Sequence, residues 1–207
     1  MCIRDRVRAR NIFPLTIYQS EVNDNPFLKE LFLPSIEDSL PYLTIPEDWA
    51  TDNLKTSYGN QNEILSGKKF SLLEKYYDDC INEFFDKEVE WEFAGKWYNY
   101  YREGSYQETH DHLGTAIKPI HFSCIHYLSF DPEVHTSTEF IDPISALRCH
   151  TITLDRDFVG DSYSPPVGEG DIIMFPSYLQ HRVRHQKISD IPRVTISFNV
   201  RVLKYDC

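Results

Sequence analysis

The sequence predicts a mainly β fold, a sandwich or barrel of short strands with helices buttressing it from the N-terminal side. Three observations predict it. A helical hydrophobic period runs through residues 69–87 and stops before Val89. From there onward the apolar runs are short and separated by turn residues, which is the spacing of an all-β sandwich or barrel. The closing run, residues 192–202 (PRVTISFNVRV), alternates strictly between apolar and polar side chains, as a strand with two unlike faces does.

Each element follows in order. Ile12 to Val22 (IFPLTIYQSEV) is β-branched and aromatic enough for a first strand, and Asn25-Pro26 opens a short helix over residues 27–33. Residues 41–68, rich in Pro, Asp, Asn and Gly, read as a long irregular connection. From Lys69 to Lys87 the positions Phe70, Leu73, Tyr77, Cys80, Ile81 and Phe84 recur at three- and four-residue steps. That is an amphipathic helix, expected to lie on the outside of the larger sheet with Lys69, Glu74 and Asp79 in water. Strands are then expected at 90–102, 105–112, 120–130, 137–142, 148–155, 170–176, 181–184 and 192–203. The segment 155–167 is long for a hairpin loop and long enough to cover a pocket.

At 207 residues the chain fits one domain spanning 1–207. Met1 to Arg6 reads MCIRDR, which looks like the translation of an adapter used in preparing sequencing libraries, so residues 1–9 are set aside as a non-native extension. No apolar run approaches the ~20 residues that a membrane helix needs, so no membrane association is expected. The net charge of −11 makes nucleic acid a poor main partner, because nucleic-acid binding calls for a basic face. The five cysteines (Cys2, Cys80, Cys124, Cys149, Cys207) contain no CxxC pair. They spell neither a zinc site nor a disulfide framework, and a reducing, cytoplasmic location is expected.

Three segments carry chemistry. In YREGSYQETHDHLG, residues 101–114, a strand would point His110 and His112 to one face with about 7 Å between their Cα atoms. Two imidazoles so placed can share a transition metal, although a surface pair would look the same. In EGDIIMFPSYLQHRV, residues 169–183, Gly170 turns the chain into a strand that Pro176 ends before His181. In the third segment Val194, Ile196, Phe198, Val200 and Val202 form one face; Arg193, Thr195, Ser197, Asn199 and Arg201 form the other. If the polar face points into a closed barrel, Arg193 needs an anionic partner, since an unpaired buried charge is costly. A carboxylate matches its fork. A strand facing solvent is the alternative.

Together these segments resemble the 2-oxoglutarate/Fe(II)-dependent dioxygenase superfamily, which shows HxD on one strand, a distal His, and R-x-S some ten to twelve residues later. Here His110-Asp111-His112, His181 and Arg193-Val194-Thr195 stand in that order, with Arg193 twelve residues after His181. Tyr101-Arg102-Glu103-Gly104 resembles the Y-x-x-G of the prolyl-hydroxylase branch. IFPLTIY, FSCIHYL (122–128), the FPS before His181 and the closing SFN resemble an uncharacterised branch common in phages and marine bacteria, in which HxH is the usual form.

The resemblance implies a double-stranded β-helix, or jelly roll. It implies Fe(II) held by His110, His112 and His181, and 2-oxoglutarate as co-substrate with its far carboxylate on Arg193, Thr195 and Tyr101. It further implies hydroxylation of a small molecule or peptide, with release of succinate and CO2. His112 departs from the superfamily, whose second ligand is a carboxylate. A three-His dioxygenase that does not use 2-oxoglutarate, and a jelly-roll binding module without catalysis, are the alternatives. His121, His126, His135, His150 and His185 lack partner spacing and read as structural or surface residues. Tyr127 reads as packed, and Ser197 and Asn199 as candidates for substrate contact.

Overall fold

The computed structural model describes residues 15–51, 53–60, 63–113, 118–144 and 161–204. The extension 1–9, the start of the Ile12–Val22 segment, the strand expected at 148–155 and His150 lie outside them, as does most of the first half of the 155–167 loop.

Two helices and a two-sheet sandwich make up the described fold. The strands are β1 (Tyr18–Glu21), β2 (Lys55–Thr56), β3 (Glu90–Tyr101), β4 (Gln107–His110), β5 (Phe122–Ser129), β6 (Thr138–Ile141), β7 (Ser162–Tyr163), β8 (Asp171–Pro176), β9 (His181–Val183) and β10 (Arg193–Lys204). Among the described residues they form a six-stranded sheet, in the order β1-β8-β5-β10-β3-β2, and a four-stranded sheet, β4-β9-β6-β7. Every described pairing is antiparallel. This is the two-sheet jelly roll expected from the sequence, with β2 and β7 as short strands that it did not foresee.

The alternation of β10 decides what each face of the large sheet does. Val194, Ile196, Phe198 and Val200 are buried against the two helices, while Arg193, Thr195, Ser197 and Asn199 point between the sheets. Neighbouring strands obey the same rule: Cys124 and Leu128 of β5 and Ile172 and Met174 of β8 face the helices, and Ile125, Tyr127, Ile173 and Phe175 fill the sandwich interior.

Helix α2 (Gly67–Phe85) lies two residues earlier than the expected 69–87 and buries Phe70, Leu73, Tyr77, Cys80 and Ile81. Tyr77 stacks on Phe198 at 4.5 Å between ring centroids, which seats the helix on β10. Lys69 and Asp79 are exposed as expected; Glu74 is half-buried, and so is Phe84, whose ring lies 5.7 Å from that of Tyr18 in β1. Helix α1 (Asn25–Ser39) is longer than the expected 27–33 and passes through Pro34. Its Leu28, Phe32 and Ile36 recur every four residues and are fully buried, so packing outweighs the backbone hydrogen bond that the proline removes.

His126 pins both helices to β5. Its Nε2 donates to Asn25 Oδ1 at 2.8 Å, and its Nδ1 accepts from the Tyr77 hydroxyl at 3.0 Å. Gly170 makes room for this link: it adopts φ +94°, and a Cβ there would stand 3.1 Å from Asn25 Cβ.

Candidate metal centre

Pairing between β4 and β9 sets His110 directly opposite His181, and β9 is paired on its other side with β6. The two rings lie 4.2 Å apart, centroid to centroid. His112 reaches them differently from the expectation. The strand ends at His110, and the chain turns so that the His112 main-chain N–H donates to the Ser177 carbonyl at 2.8 Å. That turn brings the His112 ring to 5.3 Å from His110 and 5.0 Å from His181. The three residues offer ring nitrogens that all lie within 4.8 Å of one another. The predicted convergence is therefore present, with the third imidazole supplied by a turn rather than by strand alternation.

The Nδ1 atoms are already committed. His110 Nδ1 donates to the Glu108 carbonyl at 2.8 Å and His181 Nδ1 to the Leu179 carbonyl at 2.9 Å. His112 Nδ1 donates to Asn199 Oδ1 at 2.7 Å and Ser123 Oγ at 2.6 Å, and Ser123 Oγ in turn donates to Asn199 Oδ1 at 2.8 Å. A carbonyl can only accept, so these bonds place the proton on Nδ1 and leave each Nε2 with its lone pair, that of His110 facing the Gln107 amide at 3.4 Å. Burial lowers the pKa of all three: His112 falls to about 4 and His181 well below its ordinary range, with the neighbouring imidazoles adding to the shift of both. Three neutral imidazoles with fixed tautomers suit a divalent transition metal and nothing anionic.

Deeper in the sandwich, β10 and β3 set Arg193 opposite Tyr101. Arg193 is 1% exposed. Its guanidinium lies 4.3 Å from the Tyr101 ring and 5.5 Å from the Tyr127 ring, and its Nε donates to the Thr136 carbonyl at 3.1 Å. Its Nη1 is buried without a hydrogen-bond partner among the described residues. A guanidinium so enclosed is short of an acceptor, and a ligand carboxylate would supply one. Thr195 and Ser197 line the same cavity as Arg193, Tyr101 and the three histidines. Burial pushes the Tyr101 phenol up to about 12, against the opposing pull of Arg193, so it stands there as a hydroxyl donor.

The structure adds residues that the sequence reading missed. Gln107 bridges the two ends of the cavity: its Oε1 accepts from the Tyr101 hydroxyl at 3.0 Å, and its Nε2 lies 3.4 Å from His110 Nε2. Asn99, opposite Thr195, is buried with Oδ1 unpartnered. Asn199, a candidate for substrate contact, lines the outer cleft and also anchors His112. Asp111 caps the turn, accepting from the Leu113 N–H at 3.0 Å. Among the remaining histidines, His126 and His135 are hydrogen-bonded within the fold, His121 accepts from the Val202 N–H, and His185 stacks on Tyr106.

A family model described as "Putative 2OG-Fe(II) oxygenase" matches residues 95–199, slightly more than half of the chain, and that span contains every site residue above except the helix contacts. The fold is similar to that of a Pseudomonas putida prolyl-4-hydroxylase, at 13% identity over 90% of this chain and 92% of that one, TM-score 0.57. It is similar to HygX from Streptomyces hygroscopicus, solved with nickel, 2-oxoglutarate and hygromycin B, at 13% identity over 92% and 84%, TM-score 0.58. It is also similar to the viral collagen prolyl hydroxylase of Paramecium bursaria Chlorella virus-1 in its 2-oxoglutarate complex, at 13% identity over 90% and 96%, TM-score 0.54. At such identity the likeness speaks for the fold. No curated protein matches the chain.

Proposed function

Since this chain belongs to the 2OG-Fe(II) oxygenase family, we propose that it hydroxylates a C–H bond of an organic substrate and converts 2-oxoglutarate to succinate and CO2 as it does so. The observation that carries the reading is Arg193, a buried guanidinium with an unpartnered Nη1 in one cavity with three converging imidazoles.

The residues fit both groups. His110, His112 and His181 would hold the metal through Nε2, and the far carboxylate of 2-oxoglutarate would take the Arg193 fork with the Thr195 and Tyr101 hydroxyls beside it. Bound there, Fe(II) supplies oxygen activation coupled to oxidation of the 2-oxoacid. The chain's own part is to hold three neutral donors by their Nδ1 bonds, to fix the diacid at its far end, and to keep water away from both. Space is the tighter constraint. The inner cavity is about 20 Å³, so its lining side chains would have to move apart to admit the diacid, and the Gln107 amide, 3.4 Å from His110 Nε2, would have to leave that nitrogen to a metal.

A three-His centre that does not use 2-oxoglutarate leaves the unpartnered Arg193 without a purpose, and a binding module leaves the three fixed tautomers without one. Buried free thiols at Cys80 and Cys124 are compatible with a reducing compartment, the cytoplasm. Among the described residues no helix is long and apolar enough to cross a membrane.

The test is calorimetric titration of 2-oxoglutarate into anaerobic, iron-loaded protein. Arg193→Lys keeps the charge and loses the fork, so binding weakens; Arg193→Ala weakens it further, by ~2–5 kcal/mol for a well-desolvated pair. Iron affinity should stay unchanged in both. Equal binding by Arg193→Ala and the wild type would sink the reading.

A further inference from the structure

Above the three histidines the sandwich opens into a cleft of about 840 Å³ whose walls include His110 and His112. One wall is an aromatic ladder that leads inward. Trp49 lies 5.3 Å from Tyr58, Tyr58 5.2 Å from Trp97, and Trp97 5.5 Å from the His112 ring, centroid to centroid. Three of the other lining residues are acidic: Asp48, Glu108 and Asp111. The one cation among the described lining residues, Lys96, is directed elsewhere. Its Nζ sits 3.9 Å over Phe70 and 4.9 Å from the Phe93 ring, on the helix-facing side of β3.

Two buried polar atoms at this cleft lack partners among the described residues. Glu108 accepts from the Ala50 N–H through Oε1 at 3.3 Å, and its Oε2 is inaccessible to solvent and unpaired. Trp97 is 5% exposed, and its indole N–H has no acceptor among the described residues. A buried carboxylate oxygen is short of a positive donor, and an indole N–H is short of an oxygen. Aromatic faces beside carboxylates are the setting that attracts an organic ammonium ion, by ring quadrupole and by charge together. The net charge of −11 draws cations toward the molecule as a whole.

We propose that the cleft receives a primary substrate carrying an organic ammonium group, held by Glu108, Asp111 and Asp48 against the Trp49–Tyr58–Trp97 wall beside the histidines. The inference rests on the oxygenase reading above and names the chemical class of its substrate. A free aliphatic amine and a lysine side chain in a peptide share this chemistry.

The experiment titrates n-pentylammonium, n-pentanol and pentanoate into full-length protein loaded with manganese(II) and 2-oxoglutarate, read by calorimetry and tryptophan fluorescence. Pentylammonium should bind at least about tenfold more tightly than pentanol, with pentanoate weaker still, and added salt should erode the difference. Glu108→Gln and Asp111→Asn, which keep shape and remove charge, should each weaken pentylammonium several-fold while leaving pentanol unchanged. Acetyl-Gly-Lys-Gly-amide forms the second arm: tighter binding than pentylammonium assigns a peptide side chain, weaker binding a free amine. Pentanol or pentanoate binding as well as the amine, or variants that bind the amine as the wild type does, would overturn the proposal. A 2-oxoglutarate titration of the same wild-type sample separates the two readings. If it binds and the amine does not, the substrate class is wrong and the oxygenase stands; if the amine binds and 2-oxoglutarate does not, the cleft stands and the oxygenase falls.

Discussion

His126 holds no candidate ligand position, yet it ties β5 to both helices, and the fold keeps it neutral. Burial lowers its pKa from 6.5 to about 3, so the folded state resists a proton that the unfolded chain accepts. The stability lodged here is complete above the unfolded value of 6.5 and is lost as pH falls from there toward 3. At pH 5 the loss from this residue alone is about 2 kcal/mol. Urea denaturation at pH 7 and pH 5 should show a smaller acid loss in His126→Gln than in the wild type; identical losses would remove His126 from the account. At this scale the sequence was partly legible. The histidine triad and Arg193 could be found because their spacing along the chain is itself a pattern. The hold of Ser123 and Asn199 on His112 could not, because they meet it only through the β5–β10 register that sets Asn199 opposite Ser123.

Among the elements, α2 was readable because its three- and four-residue apolar steps have no other use, and its burial supports the reading. Phe70 is 2% exposed and packs on Phe93 at 5.5 Å, while Phe84 is only half-buried. Phe70→Ala should cost ~3–5 kcal/mol of unfolding free energy, and Phe84→Ala on the order of 1–2 kcal/mol, measured by chemical denaturation. Equal losses would show that the helix does not sit on the sheet as described. The remainder of α1, residues 34–39, was hidden by Pro34, whose local signal ends a helix while Ile36 continues the buried stripe. β2 and β7 were hidden for another reason: each has two residues, too few to show alternation.

The candidate site belongs to the whole molecule, since its halves come from different sheets. His110 and His181 stand on the four-stranded sheet, and Tyr101 and Arg193 on the six-stranded one. Ligands that engage both should resist separation of the sheets and raise the melting temperature in two steps, one for metal and one for an unreactive 2-oxoglutarate analogue. At a hundredfold excess over its dissociation constant, the analogue adds ~2.7 kcal/mol. Arg193→Ala should keep the metal step and lose the second, and an undiminished second step in that variant would place the analogue elsewhere. The brevity of β2 also reaches beyond the single molecule. It pairs only with Asn99 and Tyr100, so from Glu90 to Trp97 no described strand covers the outer margin of β3. A strand margin of that length without a pairing strand among the described residues invites strand addition between copies, the first step of aggregation. Mutual repulsion of chains carrying −11 each works against that encounter, which ties colloidal behaviour to ionic strength: salt that screens the charge also unmasks the margin.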